Sequence, residues 1–133
     1  MTTKVVGTGD MKDFWTLLVT QGTRKYVRAS VGTSSSATVY TCPTGKKAFI
    51  VAICSVREQE NWNAVIRIWN SRDNILFDML WRYSSSTGLL SAQQPLFNFL
   101  ELQEGDYIKI ENNNSNYSFI ISFLIYEIDA SIL

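Results

Sequence analysis

The stretch Ser118-Phe-Ile-Ile-Ser-Phe-Leu-Ile-Tyr126 decides the class of fold, because large apolar side chains recur in it at every second residue. A period of two is that of a β-strand with one face in a hydrophobic core. One face of this strand carries Phe119, Ile121, Phe123 and Ile125, and the other carries Ile120, Leu124 and Tyr126. A strand with two apolar faces lies beneath a second layer of the same chain or against another subunit.

The rest of the chain is a series of similar short runs. Candidate strands are residues 14–20, 25–30, 37–41, 47–56, 64–70, 75–82, 96–102, 107–111 and 117–128. Turn-forming residues separate them, namely Pro43 and Gly45, residues 71–74, and Gly105, at which a positive φ costs little. A short helix around residues 10–19 is the alternative to the first strand. Eight or nine short strands predict an all-β fold, an antiparallel two-sheet sandwich, and specifically a jelly roll of about eight strands.

The amino-terminal residues differ in composition from the rest of the chain. Residues 1–13 combine Gly7 and Gly9 with charges of both signs, so we expect a flexible N-terminal arm there. A single β-sandwich domain is expected over residues 14–133, since a chain of this length folds as one domain. The arm is either disordered or becomes ordered against a neighbouring subunit.

The composition is rich in aromatic residues and poor in charge. Charged residues make up 18% of the 133 positions, against about 25% in an average soluble domain. The four Trp, six Tyr and seven Phe belong either to one aromatic core or to further faces buried between subunits. We favour the second reading and expect a homo-oligomer. The residues predicted to contact another subunit are Trp69, Trp81, Ile120, Leu124 and Tyr126.

The formal net charge is zero, so we expect no nucleic-acid partner. The charge is nevertheless uneven along the chain, with a balance of +5 over residues 1–47 and −5 over the remainder. Either folding averages this difference, or complementary patches meet between subunits or on an acidic neighbour. Candidates for docking on such a neighbour are Lys4, Lys12, Arg24, Lys25 and Arg28.

The residues of common catalytic and metal sites are missing from the sequence. The chain has no histidine, which excludes Ser-His-Asp and Cys-His nucleophile activation and histidine metal centres. Cys42 and Cys54 have no metal or redox spacing, and two reduced, buried thiols are favoured over a disulfide between neighbouring strands. We therefore predict no enzyme, no cofactor and no metal. The sequence also predicts no signal peptide and no membrane partner, since no apolar run approaches 18 residues.

Two segments resemble small β-sandwich structural proteins of tailed phages and other viruses. The segment Tyr40-Thr-Cys-Pro-Thr-Gly-Lys-Lys-Ala48 is similar to their Tyr-Thr-x-Pro-x-Gly-Lys opening, except that Cys42 replaces an aliphatic residue. The segment Leu102-Gln-Glu-Gly-Asp-Tyr-Ile108 is similar to their Leu-x-x-Gly-Asp-x-Ile segment. The resemblance implies a virion protein made in the host cytoplasm. It would be a head decoration, minor capsid, or tail or neck subunit, acting as a trimer or larger ring with other virion proteins.

Other binding functions remain open at this point. A carbohydrate-binding module or lectin-like attachment protein would use exposed aromatic residues, and Trp62 and Tyr83 are the candidates for contact with a glycan. A small cytoplasmic β-sandwich with another binding partner is a further alternative. A glycosidase pair of carboxylates is the remaining enzymatic possibility.

Overall fold

The computed structural model describes residues 8–56, 62–83, 91–116 and 118–132. One α-helix, α1 (Thr8–Gln21), precedes eight β-strands, and a short 3-10 helix, Ala130–Ile132, ends the described chain. The strands are β1 (Thr23–Val31), β2 (Ser35–Thr41), β3 (Lys46–Val56), β4 (Trp62–Trp69), β5 (Ile75–Tyr83), β6 (Ser91–Leu102), β7 (Tyr107–Asn112) and β8 (Phe119–Asp129).

The strands form two four-stranded antiparallel sheets. The first sheet has the order β1-β8-β3-β6, and the second has the order β2-β7-β4-β5. Successive strands cross from one sheet to the other, except for the β4–β5 hairpin within the second sheet. This connectivity is that of a jelly roll, so the all-β sandwich predicted from the sequence is confirmed.

The core lies between the two sheets and follows the period-two pattern. On β8, Ile121, Phe123 and Ile125 are at most 1% exposed. They meet residues of the second sheet in one cluster, which includes Ile66 and Ile108. Burial of each such side chain contributes about 1.5–3 kcal/mol, so this cluster is the main source of the free energy of folding.

The helix α1 replaces the strand predicted for residues 14–20, and that prediction is wrong. Phe14, Leu17 and Leu18 follow the i, i+3, i+4 spacing of an amphipathic helix, and all three pack on the first sheet. Residues 8–13, assigned to the arm from the sequence, form the start of this helix. Residues 1–7 lie outside the described residues, so the division into an arm and a domain stays a prediction.

The helix ends at a close contact with β8. The Gly22 N–H donates to the Leu18 carbonyl at 2.9 Å, which closes the last turn of α1. A Cβ at residue 22 would stand 2.5 Å from that same carbonyl oxygen and 3.1 Å from the Glu127 carbonyl. Glycine is therefore required where the chain leaves α1 and enters β1.

The two segments that resemble virion proteins lie together at one end of the sandwich. The Cys42 N–H donates to the Asp106 carbonyl at 2.9 Å, and the Gly105 N–H donates to the Cys42 carbonyl at 3.0 Å. Gly45 and Gly105 have φ values of 77° and 84°, which side chains rarely adopt. These hydrogen bonds join the β2–β3 turn to the β6–β7 turn.

Candidate assembly surfaces

The outer face of the first sheet is covered in part by the chain itself. Leu124 and Tyr126 pack in a cluster with α1, and Tyr126 is only 6% exposed. The rings of Trp15 and Tyr126 meet edge to face at 5.4 Å. The second layer over β8 at these positions is therefore α1. Contact between Tyr126 and another subunit would require α1 to move. Ile120 lies nearer the other end of β8 and is half-buried.

Beside that cluster, large apolar and basic side chains are exposed on α1 and β1. Trp15 is 40% exposed, Val19 50% and Tyr26 73%. Arg24 and Arg28 lie on the same face of β1 as Tyr26, and the Arg24 guanidinium stands 5.5 Å from the Tyr26 ring centroid. We call these five residues the α1–β1 surface. The sequence pattern identified its arginines but not Trp15, Val19 and Tyr26.

The predicted docking residues have different environments. Lys12, Arg24 and Arg28 are exposed, and among the described residues neither arginine has a carboxylate partner. Lys25 lies on the other face of β1 and pairs with Glu127 at 3.0 Å. Its charge is therefore neutralised within the chain. Lys4 lies outside the described residues.

Glu127 is a buried carboxylate that joins the two sheets. It is 6% exposed on β8, and its Oε2 accepts a hydrogen bond of 2.6 Å from the Tyr40 hydroxyl on β2. Burial, and then this hydrogen bond, raise the pKa of the Tyr40 hydroxyl far above its ordinary value. With Lys25 on its other oxygen, Glu127 is fully engaged in holding β1, β2 and β8 together.

The two cysteines are free thiols in this structure. Cys42 is buried and Cys54 half-buried. Burial, followed by the nearby charge of Glu127, raises the pKa of the Cys42 thiol to about 11. A thiol with such a pKa is protonated at neutral pH and is a poor nucleophile. Within the described ranges, no group of three or more Cys, Asp or Glu side chains is placed to hold a metal ion.

The outer face of the second sheet carries paired charges. Arg67 on β4 donates to Asp78 at 2.7 Å and to Glu111 at 2.9 Å. The Tyr107 hydroxyl donates to Asp73 at 2.7 Å, which raises the pKa of Tyr107. Among the side chains that the structure describes, this face and its turn carry three basic groups (Arg67, Arg72 and Lys109) and three acidic groups (Asp73, Asp78 and Glu111), so these described charges sum to zero.

An apolar group lies at the β4–β5 hairpin of the same sheet. Trp69 is half-buried, its ring is parallel to that of Tyr107, and the Lys109 amino group stands 5.7 Å from it. Its cross-strand partner Ile75 is 46% exposed, and the adjacent Leu76 is 53% exposed. We call Trp69, Ile75 and Leu76 the hairpin surface. It includes one of the five residues predicted to contact another subunit.

The remaining predicted residues are located only by their backbones. Trp62 and Tyr83 are Cα partners between β4 and β5, and Trp81 is the partner of Ala64. The side chains of these three residues lie outside the part of the chain that the structure describes. The backbone register therefore brings the two predicted glycan-contact residues together, without showing what they contact.

A polar hollow lies beside the connection between β1 and β2. It has a volume of about 300 Å³, and its lining residues are Ser34, Ser35, Ser36, Glu111, Asn112 and Asn113. Asn112 is 2% exposed there, and its side-chain amide donates to the Val31 and Gly32 carbonyls. These bonds hold the β1–β2 connection in place.

Among the described residues, no helix is both long and apolar enough to cross a membrane.

No family model matches the sequence, and no curated protein is similar to it. Three solved structures align over nearly the whole chain. A protein of Bacillus endospore appendages, described as disulfide-linked pili, is 10% identical, with 96% of both chains covered and a TM-score of 0.47. The virus-like particle of the extra small virus of the prawn Macrobrachium rosenbergii is 12% identical, with 96% of this chain and 82% of that chain covered and a TM-score of 0.42. A pentameric capsid protein from metagenomic phage sequences is 16% identical, with 97% and 78% covered and a TM-score of 0.38. These similarities are low, and the jelly roll is assigned from the strand order alone.

Proposed function

We propose that this chain is a non-enzymatic structural subunit of a virion, which acts by binding copies of itself and other virion proteins. The observation that carries the proposal is the grouping of exposed apolar side chains on a jelly roll. Five of the six large apolar side chains exposed among the described residues fall on just two surfaces, the α1–β1 surface and the hairpin surface. Grouped exposure of this kind is typical of protein interfaces.

The hairpin surface is proposed to bind a second copy of the chain. Exposed Ile75 and Leu76 beside Trp69 supply apolar area, and the neighbouring Arg67, Asp78 and Glu111 are already paired. Two copies of a balanced face can approach without net repulsion. We propose a closed homo-oligomer, with a trimer as the expected form.

The α1–β1 surface is proposed to dock on a different virion protein. Its exposed Trp15 and Tyr26 stand beside Arg24 and Arg28, and Trp, Tyr and Arg are the residues most enriched at the energetic centres of interfaces. Unpaired arginines select an acidic neighbour. In this arrangement the subunit decorates or completes a capsid or a tail, and it works in the virion after synthesis in the host cytoplasm.

The resemblance in sequence supports the same function. The two similar segments fold into one hydrogen-bonded end of the sandwich, through Cys42, Gly105 and Asp106. Because these bonds fix how the turns meet, the segments act in this interpretation as parts of a scaffold and not of an active site. The raised pKa of Cys42 also gives no support to nucleophilic catalysis.

The experiment is light scattering at low micromolar concentration, in low and in high salt. We expect a discrete oligomer in both, since apolar contacts are insensitive to screening. The Ile75→Ser/Leu76→Ser variant is expected to be a monomer. The matched control Trp15→Ser/Val19→Ser, which alters the other surface, should keep the wild-type mass. A wild-type monomer in both salts would contradict the proposal.

Binding of a glycan is the alternative, and one observation favours it. Trp62 and Tyr83 are opposite each other in the β4–β5 register, so two aromatic residues lie side by side where β4 begins and β5 ends. A glycan array probed with the wild type and with Trp62→Ala tests this function. Saturable binding by a monomer, lost in Trp62→Ala, would favour a lectin over an assembling subunit.

A further inference from the structure

The edge strand β1 differs from the other edges of the two sheets. It pairs with β8 alone, and its register runs without a break from Thr23 to Val31. Among the strands that the structure describes, the other three edge strands are β2, β5 and β6. Each of them has a β-bulge or irregularity in its register with the neighbouring strand. Bulges, proline or charge normally protect an exposed edge from pairing with another chain. Since β1 has neither a shift nor a proline, charge is the protection that its own described residues provide.

The charge on this edge has one sign and lies on one face. Arg24, Tyr26 and Arg28 are exposed on the face that also carries α1, whereas Val27 and Val31 turn toward the core. Lys25 contributes nothing to this face, because it pairs with Glu127. A second β1 would place arginine near arginine, which is unfavourable between neighbouring strands. The same edge is complementary to an acidic strand.

We propose that β1 accepts an acidic, extended segment of another protein as a fifth strand of the first sheet. Main-chain hydrogen bonds along the free edge would supply affinity, and alternate side chains would supply specificity. Residues on one face of a strand repeat about every 7 Å, so carboxylates at alternate positions of the segment can reach Arg24 and Arg28 in turn. Apolar side chains of the partner would contact Tyr26 and Trp15. The inference rests on the proposed function and specifies the docking partner.

The same arginines also suggest a polyanion such as single-stranded nucleic acid, and two observations favour protein. The unbroken edge offers main-chain donors and acceptors in a row, which only another polypeptide strand matches. The formal net charge of the whole chain is zero, so no overall field attracts it to a polyanion. Nucleic acid is therefore an outcome of the test.

The test uses two synthetic peptides of identical composition. One is Thr-Glu-Val-Glu-Val-Glu-Val-Glu-Thr, which alternates along a strand, and the other is Thr-Val-Val-Val-Glu-Glu-Glu-Glu-Thr, which does not. Fluorescence anisotropy should show the alternating peptide binding the full chain at least about tenfold more tightly. Hydrogen exchange should slow over residues 23–31 when that peptide is bound, because new main-chain hydrogen bonds form there. Equal affinity for both peptides, or unchanged exchange over 23–31, would overturn the inference.

Charge variants locate the site. Arg24→Glu/Arg28→Glu should weaken binding of the alternating peptide by roughly tenfold or more, since it replaces attraction by repulsion. Arg72→Glu/Lys109→Glu makes the same change in net charge on the second sheet and should stay within about twofold of wild type. The exchange measurement on wild type decides the question if either variant fails to fold. An oligothymidylate of the same charge that competes as well as the peptide would also overturn the inference.

Light scattering on the same samples separates this inference from the proposed function. A wild-type oligomer that does not bind the alternating peptide contradicts the strand addition alone. A wild-type monomer contradicts the proposed assembly, and its binding of the peptide would still support strand addition at β1.

Discussion

The two outer faces of this sandwich differ in what covers them and in how their charges are used. The first sheet is covered by α1 through Leu18 and Tyr126, and beside that helix Arg24 and Arg28 have no carboxylate among the described residues. The second sheet has no such helix in the described chain, and its Arg67 is paired with two carboxylates. The outer face of the first sheet is apolar where α1 covers it and basic beside α1. The outer face of the second sheet has no covering helix in the described chain, and its described charges sum to zero.

In the proposed function, this difference lets one small domain bind two kinds of partner. A face whose described charges sum to zero can meet its own copy without net repulsion, and its Arg67 is paired with two carboxylates within the subunit. An uncompensated basic face repels its own copy and selects an acidic partner. In the proposed function, charge pairing separates self-association from docking, although both surfaces expose similar apolar side chains. Variants that alter one face, or the link between the two faces, test this separation.

The largest effect is expected from weakening the cover on the first sheet. Leu18 is 0% exposed between α1 and that sheet, so Leu18→Ala should lower the free energy of unfolding by about 2–5 kcal/mol through lost burial and a cavity. Val19→Ala is the matched control, since Val19 is 50% exposed, and it should change stability by no more than about 0.5 kcal/mol. Urea denaturation measures both. Equal losses in the two variants would mean that α1 does not pack on the first sheet through Leu18.

The next prediction tests whether the interior between the two faces is closed. In folded Cys54→Ala protein at pH 8, Cys42 should react with a thiol reagent about a hundredfold more slowly than in unfolded chain. The physical reason is that the pKa of the Cys42 thiol is raised from 9.0 to about 11. At pH 8 the folded protein therefore has about a hundredfold less thiolate at Cys42 than the unfolded chain.

The same pKa sets the sign of a pH dependence. The folded chain keeps the Cys42 proton to about pH 11, whereas the unfolded chain releases it near 9.0. The stability contributed by this group is therefore complete below pH 9 and is lost as pH rises toward 11. A labelling rate that levels off near pH 9 in the folded protein would show that Cys42 is not shielded.

A smaller loss is expected from cutting the hydrogen bond that links the two sheets. Tyr40→Phe removes the donor to buried Glu127 and should cost about 1–3 kcal/mol. Tyr107→Phe also removes one tyrosine–carboxylate bond, but at exposed Asp73, and should cost less than about 1 kcal/mol. Thermal denaturation compares them. If Tyr107→Phe is the more damaging, Glu127 does not link the sheets.

The smallest effect concerns the charges of the second sheet. A double-mutant cycle on Arg67 and Asp78 should give a coupling of about 0.2–1 kcal/mol, which falls as salt screens the pair. Chemical denaturation of the wild type, Arg67→Ala, Asp78→Ala and the double variant supplies the four values. A coupling of zero at low salt would show that Arg67 and Asp78 do not stabilise each other in solution.

Much of the fold could be predicted because strands such as β4 and β7 follow a period of two. In β7, Ile108 and Ile110 are buried while Tyr107, Lys109 and Glu111 are half-buried, as alternation requires. Residues 14–20 were misassigned because their aromatic and β-branched residues favour strand, whereas the spacing of Phe14, Leu17 and Leu18 is helical. In this short segment the spacing of the apolar residues, and not their individual strand preference, determined the secondary structure.

The candidate surfaces could be predicted only in part. The uneven charge along the sequence correctly indicated that Arg24 and Arg28 belong to a basic surface. Lys25 does not lie on that surface, since neighbouring residues of a strand point to opposite sides. Leu124 and Tyr126 are predicted from the sequence to contact another subunit because a second apolar face does not reveal which layer covers it, and that contact stays a prediction. Within this chain the covering layer is α1. The helical spacing of its apolar residues was the sequence signal from which this cover could have been predicted. Trp15 and Tyr26 were missed because exposure depends on the packing of α1 beside β1.

The central claim is that copies meet through the hairpin surface while the α1–β1 surface stays free for another protein. Hydrogen exchange of the wild type, measured below and above the concentration at which it associates, tests this claim most directly. We predict slower exchange on association over residues 69–79, with exchange over residues 15–28 unchanged. Slower exchange over 15–28 with 69–79 unchanged would contradict the claim.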